Sequence, residues 1–430
     1  MNIAFKFNPK LDLSFIPFMP ATEKDDVELR LQIKRLKPNE TLDVLVSIDG
    51  RVVINETNYS CESFAFFKHT QRYTAGKHEL VLQYKGSSEK EYIAQKSTFI
   101  IEEKRSPLLQ GGFIMLGPPN DRIPCNAFCQ DTKKMTDSDW ANYIDELDAI
   151  GIKCIIVKVT VQLDYMGGKC TAHYSSSLYP RSDITAKDPI RAILTSAEKN
   201  GQCVFIGLGH TFYGTLPNTP DVMTELYDLY GDSPAFYGWY GSEEVNMSKN
   251  KNSVWEKWDE IYRRAQKLSP VKPFIISPYA DITIDDKTDV LHPDFLKKLG
   301  EGLGKFDIIA PQDMVGHPVK DGRLTTERTT KMFKILESYC QKSGKHLWAN
   351  CEAFDFDENN VLVPRFVGGG FDGENGYVQQ LKACFPYVEK IITFMFNGFF
   401  APTNYKPIIG GQKAVRQYEN YVSYRKKFLE

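Results

Sequence analysis

The chain has little histidine, little net charge and no long apolar run. Its 430 residues include 7 histidines, and 53 basic side chains nearly balance 55 acidic ones for a formal charge of −2. The histidines are scattered, with no His-x-His on an early strand and no His-Glu-x-x-His, which speaks against a metal-dependent hydrolase. The near-neutral balance gives no reason to expect a nucleic-acid partner or an anionic membrane surface. No apolar stretch approaches the roughly 18–20 residues that span a bilayer. The start, Met1-Asn-Ile-Ala-Phe-Lys-Phe, lacks the basic and apolar segments of a signal peptide. As it stands the chain reads as soluble and cytoplasmic, or exported if a leader has been removed. A Gly-x-Ser-x-Gly elbow and phosphate-loop motifs are missing too, and the first strand ends in Gly117-Pro-Pro-Asn where a dinucleotide-binding sheet would have its Gly-x-Gly-x-x-Gly turn. Neither a serine nucleophile nor a metal or organic cofactor is expected.

Cysteines number 9, an odd count. Cys154, Cys203, Cys351 and Cys384 sit in or beside apolar patterns and read as small buried hydrophobes. Cys125 and Cys129 have no histidine nearby to complete a zinc site. Free thiols in a reduced compartment fit better than a disulfide framework.

What is present divides at the charged stretch Glu102-Glu-Lys-Arg-Ser-Pro107. Residues 1–105 carry short strand patterns. Val27-Glu-Leu-Arg-Leu-Gln-Ile-Lys alternates apolar and polar residues like a half-buried strand. Leu42-Asp-Val-Leu-Val-Ser-Ile runs into the hairpin dipeptide Asp49-Gly50. These patterns predict a β-sandwich of immunoglobulin-like type, more a spacer than a glycan-binding module.

Residues 106–430 alternate strand, loop and helix. Strands are predicted at Gly112–Leu116, Lys153–Val159, Val204–Leu208, Phe236–Tyr240, Phe274–Ser277, Phe306–Ala310, His346–Asn350 and Lys390–Phe396. Helices open at cap residues such as Thr136, Ser253 and Thr325. Eight such repeats are the count of a (β/α)8 barrel, so the fold class is α/β. The longer segments follow the strands and the shorter ones precede them. That asymmetry places a site at the C-terminal face of the barrel.

Two of the strand ends carry glutamate. The fourth runs Ala235-Phe-Tyr-Gly-Trp-Tyr-Gly-Ser-Glu-Glu244 and the seventh His346-Leu-Trp-Ala-Asn-Cys-Glu352. Glycoside hydrolysis needs two carboxyl groups across a scissile bond, and these two strands face each other across a small barrel. Alternation puts Trp348, Asn350 and Glu352 on the axis and Leu347, Ala349 and Cys351 beneath the helices. On strand 4 both faces are aromatic, so Glu243 and Glu244 stay open as alternatives. His210, Tyr279, Gln312, Asp313 and Asn397 lie at or beyond other strand ends and are candidates for holding sugar hydroxyls. Trp239 and Trp348 could offer stacking faces or fill lower core layers. The expected partner is a carbohydrate, and nothing in the sequence fixes the oligomeric state.

Phe236-Tyr-Gly-Trp-Tyr with a following glutamate, Ile276-Ser-Pro-Tyr, Ala310-Pro-Gln-Asp-x-Val-Gly and Leu347-Trp-Ala-Asn-x-Glu-x-Phe occur in that order. Over about residues 111–402 the chain resembles an uncharacterised bacterial family of glycosidase-like TIM-barrel proteins, a domain of unknown function. In that family the strand-4 glutamate stands six positions after the glycine of Gly-Trp-Tyr. The resemblance thus implies Glu244 as acid/base, counted from Gly238, and Glu352 as its partner. The large clan of retaining barrel glycosidases usually has asparagine directly before the acid/base. This chain has Glu243 there, which leaves Asn350 or Asn246 to take that contact.

Overall fold

The computed structural model describes the chain except residues 1–3, 9–10, 35, 37–38, 61–63, 118–130, 165–168, 212–213, 216–217, 248–251, 281–290, 303, 317–325, 358, 360, 366–370, 372–375 and 404–405. It falls into two compact units. One comprises Met1–Arg105 with Gln266–Pro273, the other Ser106–Ala265 with Phe274–Glu430.

The first unit holds a four-stranded and a five-stranded sheet whose apolar residues form one shared core. Asp49 and Gly50, at φ 51° and 78°, make the tight turn between Leu42–Ile48 and Arg51–Tyr59. Both positions need positive φ, which explains the Asp-Gly pair. Val27–Ile33 departs from the half-buried expectation, since all seven residues are buried. Its polar side chains are covered from within the same unit. Arg30 binds Glu28 and donates to the carbonyl of Pro270 at 3.2 Å, and Ser269 donates to Gln32 at 3.0 Å. Partners so distant in sequence leave no trace in the local alternation.

The second unit is a closed barrel of eight parallel strands: Gly111–Ile114, Cys154–Val157, Cys203–Gly207, Phe236–Gly241, Phe274–Ile276, Ile308–Ile309, His346–Glu352 and Lys390–Phe394. They are numbered 1 to 8 below. Each matches a predicted segment to within a few residues. The first helix, Asp137–Ala149, starts with a capping box. Thr136 accepts from the Asp139 amide, and the Asp139 carboxylate accepts from the Thr136 amide. The last helix, Gly411–Leu429, ends the chain's regular structure. No described helix is long and apolar enough to cross a membrane. The described cysteines are free; Cys154, Cys203, Cys340, Cys351 and Cys384 are buried and Cys170 is partly exposed. Cys125 and Cys129 lie outside the described residues.

Aromatic rings from non-neighbouring strands meet inside the barrel. Phe205 of strand 3 packs edge-on against Trp348 of strand 7, and Phe113 of strand 1 against Tyr240 of strand 4. Strand 4 carries a bulge. Val204 pairs with Phe236, but the next residue, Phe205, pairs with Gly238. As a result Tyr237, touching Phe205, and Tyr240 both line the axis.

Candidate active site

Strand 7 reads as alternation predicts. Cys351 meets Cys384 of helix Tyr377–Cys384, with sulfurs 3.6 Å apart, so it faces the helix layer. Glu352 pairs in register with Phe394, whose ring packs on Phe113 inside the barrel. Glu352 therefore looks toward the axis and is 1% exposed. Its Oε2 accepts the Gly316 amide at 2.7 Å. Gly316 suits that close approach, because a Cβ there would lie 2.5 Å from the Phe354 carbonyl oxygen and 3.0 Å from Oε2 itself. The backbone of Glu352 is fixed as well. Its amide donates to Asp313 at 3.1 Å, and its carbonyl accepts from Gln380 at 2.9 Å.

Asp313 also accepts from the Val315 amide at 3.3 Å. It is fully buried, and its carboxyl is pushed up to about 7, first by burial and then by the charge of Glu352. One layer down, the Ser277 hydroxyl donates to the Ala310 carbonyl and so accepts from the Asn350 amide nitrogen at 2.9 Å. That chain fixes the amide orientation. It leaves the buried Asn350 Oδ1 without a hydrogen-bond donor among the described residues. Gln312 donates to the Ser277 carbonyl at 3.3 Å and pairs through its backbone with Asn350.

The end of strand 4 is set differently. Ser242 donates to the Lys158 carbonyl at 2.9 Å and accepts the Gly209 amide at 3.2 Å, tying strand 4 to the ends of strands 2 and 3. Tyr279 is half-buried and exchanges backbone hydrogen bonds with Val245 and Met247, which anchors the segment to strand 5. Glu243 and Glu244 lie between those anchors. Glu243 is half-buried, and its shielded Oε2 meets no donor among the described residues. The side chain of Glu244 is 41% exposed and pairs with Lys158 at 3.5 Å. Lys158 sits over the Phe394 ring at 4.5 Å. Burial pushes the Tyr240 phenol far up, and the charge of Glu244 adds to this.

Three predicted contacts are committed elsewhere. Trp239 pairs in register with Phe274, which packs on Tyr262 of helix Asn252–Leu268, so its indole lies in the helix layer rather than the mouth. The bulge puts it there. Trp348 is fully buried against Phe205 and fills the barrel interior. Asn397 is spent on the end of strand 1, accepting from the Met115 amide and donating to its carbonyl, both at 3.0 Å. His210 begins a two-residue strand, His210–Thr211, and its side chain lies outside the described residues. Sequence reasoning missed Lys158. The test applied to the glutamates, a charged residue just past an apolar strand, also finds it after Cys154-Ile-Ile-Val157. Gly316 carried no such signal, because its role is a backbone contact. Among the described residues no cluster of His, Cys, Asp and Glu could hold a metal ion.

Comparison with known proteins adds a family and a fold. A protein described as a putative alpha-L-fucosidase from Bacteroides thetaiotaomicron VPI-5482 superposes with a TM-score of 0.55 at 19% identity, over 79% of this chain and 98% of its own. A GH2 beta-galacturonidase from Eisenbergiella tayi aligns at 12% identity and a TM-score of 0.44, over 97% of this chain and 71% of its own. A beta-glucuronidase from an uncultured Clostridium sp. aligns at 13% and 0.43, over 97% and 68%. At the first of these scores and identities the likeness is one of fold. No curated protein sequence matches the chain. The family model for DUF4434, a domain of unknown function, matches residues 109–406, which is the barrel almost entire. The chain therefore belongs to the DUF4434 family.

Proposed function

We propose that the barrel is a glycoside hydrolase that cleaves an O-glycosidic bond with two carboxyl groups. The carrying observation is Glu352, a buried, axis-facing carboxylate at the end of strand 7 whose Oε2 is held by a main-chain amide. A carboxylate so fixed suits attack on an anomeric carbon, or activation of a water beside it. Glu244, at the end of strand 4 of the same closed barrel, is the proton donor and later the base. Asn350, Gln312, Tyr279 and Glu243 offer hydrogen bonds to sugar hydroxyls. The two sheets of the first unit are an immunoglobulin-like spacer in this reading.

The test is hydrolysis of a broad panel of aryl glycosides and polysaccharides by the wild type, Glu244→Gln and Glu352→Gln. Turnover of any substrate that collapses in both folded variants supports the reading. Turnover indifferent to both substitutions sinks it. The Lys158–Glu244 ion pair favours a second reading, a carbohydrate-binding barrel without turnover, because a glutamate engaged by lysine is not poised to donate a proton. Glycan binding by a wild type that hydrolyses nothing on the panel would select it.

A further inference from the structure

The side chain of Lys158 has no role in the reaction just described. The residue follows strand 2 directly, and its backbone is pinned at both ends. The amide donates to the Ile114 carbonyl at 2.9 Å, and the carbonyl accepts from Ser242. From that base the side chain, 14% exposed, reaches over Phe394 to Glu244. An ammonium so shielded from water needs a compensating charge. In the ligand-free mouth Glu244 supplies it. Tyr240 and Glu243 are the other titratable groups placed beside this pair among the described residues, and Glu352 is the register partner of Phe394, the ring that Lys158 covers.

A glutamate that donates a proton is neutral when it does so. Lys158 then loses its counter-charge at the moment the ligand fills the mouth. We propose that the ligand replaces it: the barrel takes a sugar bearing an anionic group, a carboxylate or a sulfate ester, and Lys158 binds that group. This rests on Glu244 being the acid of the preceding reading. A neutral hydroxyl would give the ammonium a hydrogen bond but no charge, whereas an anionic oxygen gives both.

The experiment compares calorimetric binding of glucuronic acid, galacturonic acid and galactose 6-sulfate with that of glucose and galactose. It uses the full chain as wild type, Lys158→Met, Lys158→Arg and Glu244→Gln. The wild type should prefer one acidic sugar over its neutral counterpart. Lys158→Met should lose about tenfold or more of that affinity, the size of one charge-assisted hydrogen bond, and leave neutral sugars alone. Lys158→Arg should keep part of the preference. Glu244→Gln, which frees the ammonium from its resting partner, should bind the acid more tightly than the wild type. It also decides the matter if Lys158→Met fails to fold. Carboxylate and sulfate arms separate the two sources of charge. Preference for neutral sugars, no sugar binding at all, or an acid preference that survives both Lys158→Met and Glu244→Gln unchanged would overturn the proposal. Lys158-dependent binding without hydrolysis keeps the anion site and removes the hydrolase. Hydrolysis of neutral glycosides that needs both glutamates does the reverse.

Discussion

The glutamates at the ends of strands 4 and 7 stand in opposite surroundings. Glu352 is buried; a main-chain amide holds its carboxylate oxygen, the Asp313 carboxyl accepts from its amide, and the Gln380 side chain donates to its carbonyl. Glu244 is part-exposed and is held by the flexible side chain of Lys158. A group fixed by backbone amides keeps its position whatever occupies the mouth, because moving it would undo the fold around it. A group held by a lysine can trade partners when a ligand arrives. One end of the site is built for geometry and the other for exchange.

Substitution at the two ends breaks the contrast most directly. Glu352→Gln should abolish turnover on every substrate, by about 10³-fold or more. Glu244→Gln should cost about 10²–10⁴-fold, most on substrates whose leaving group needs a proton. Steady-state rates on aryl glycosides of graded leaving-group acidity check this. An equal loss across the series for Glu244→Gln would remove its role as acid.

Gly316→Ala attacks the fixed end without touching a carboxyl. The new Cβ would collide with the Phe354 carbonyl, so the loop must shift and the amide held by Glu352 moves with it. We expect a stability loss of about 1–3 kcal/mol with a fall in kcat that exceeds any change in KM. Thermal melts and kinetics read both.

The Asp313 carboxyl supplies a pH signature for the same end. Its folded value of about 7 lies above its ordinary 3.8, so the native state holds a proton that the unfolded chain releases. Its contribution to stability is full below about pH 4 and is lost as pH rises to about 7, with a slope of up to about 1.4 kcal/mol per pH unit. Asp313→Asn should abolish that slope, measured as denaturation midpoints between pH 4 and 8.

His173, buried beside Gly117 just past the end of strand 1, gives a smaller control of opposite sign. Burial, then the charge of Arg181, lowers it from 6.5 to about 4. The stability tied to its neutral form is present above pH 6.5 and lost as pH falls toward 4. His173→Gln should flatten the acid side and leave the Asp313 slope intact. If one variant removes both slopes, the two groups are not independent.

Much of the barrel is legible in the sequence because each strand is a short apolar run followed by a helix, several of which open at a capping residue, and both signals are local. The orientation of Glu352 is legible for the same reason, since strand 7 is regular from His346 onward. The layer of Trp239 is not, because one extra residue opposite Val204 and Phe205 depends on the neighbouring strand. The cover on Arg30 and Gln32 comes from residues 269–270, beyond the reach of any local pattern. Asn397 looks like a mouth residue by position alone. Only the end of strand 1 reveals what its amide holds.

The bulge in strand 4 acts as a change of phase. Up to Tyr237 the odd-numbered side chains of that strand look inward, and from Tyr240 the even-numbered ones do. Carried forward, the first phase would aim Glu243 into the mouth, and the second aims Glu244 beside Tyr240 and Lys158. A strand that kept all its residues but ran without the bulge would therefore exchange the two neighbouring glutamates, whereas deleting one residue at the bulge would leave the phase of Glu244 unchanged. In the proposed reading the choice between the two carboxylates is thus made several residues earlier, by a bulge in the strand.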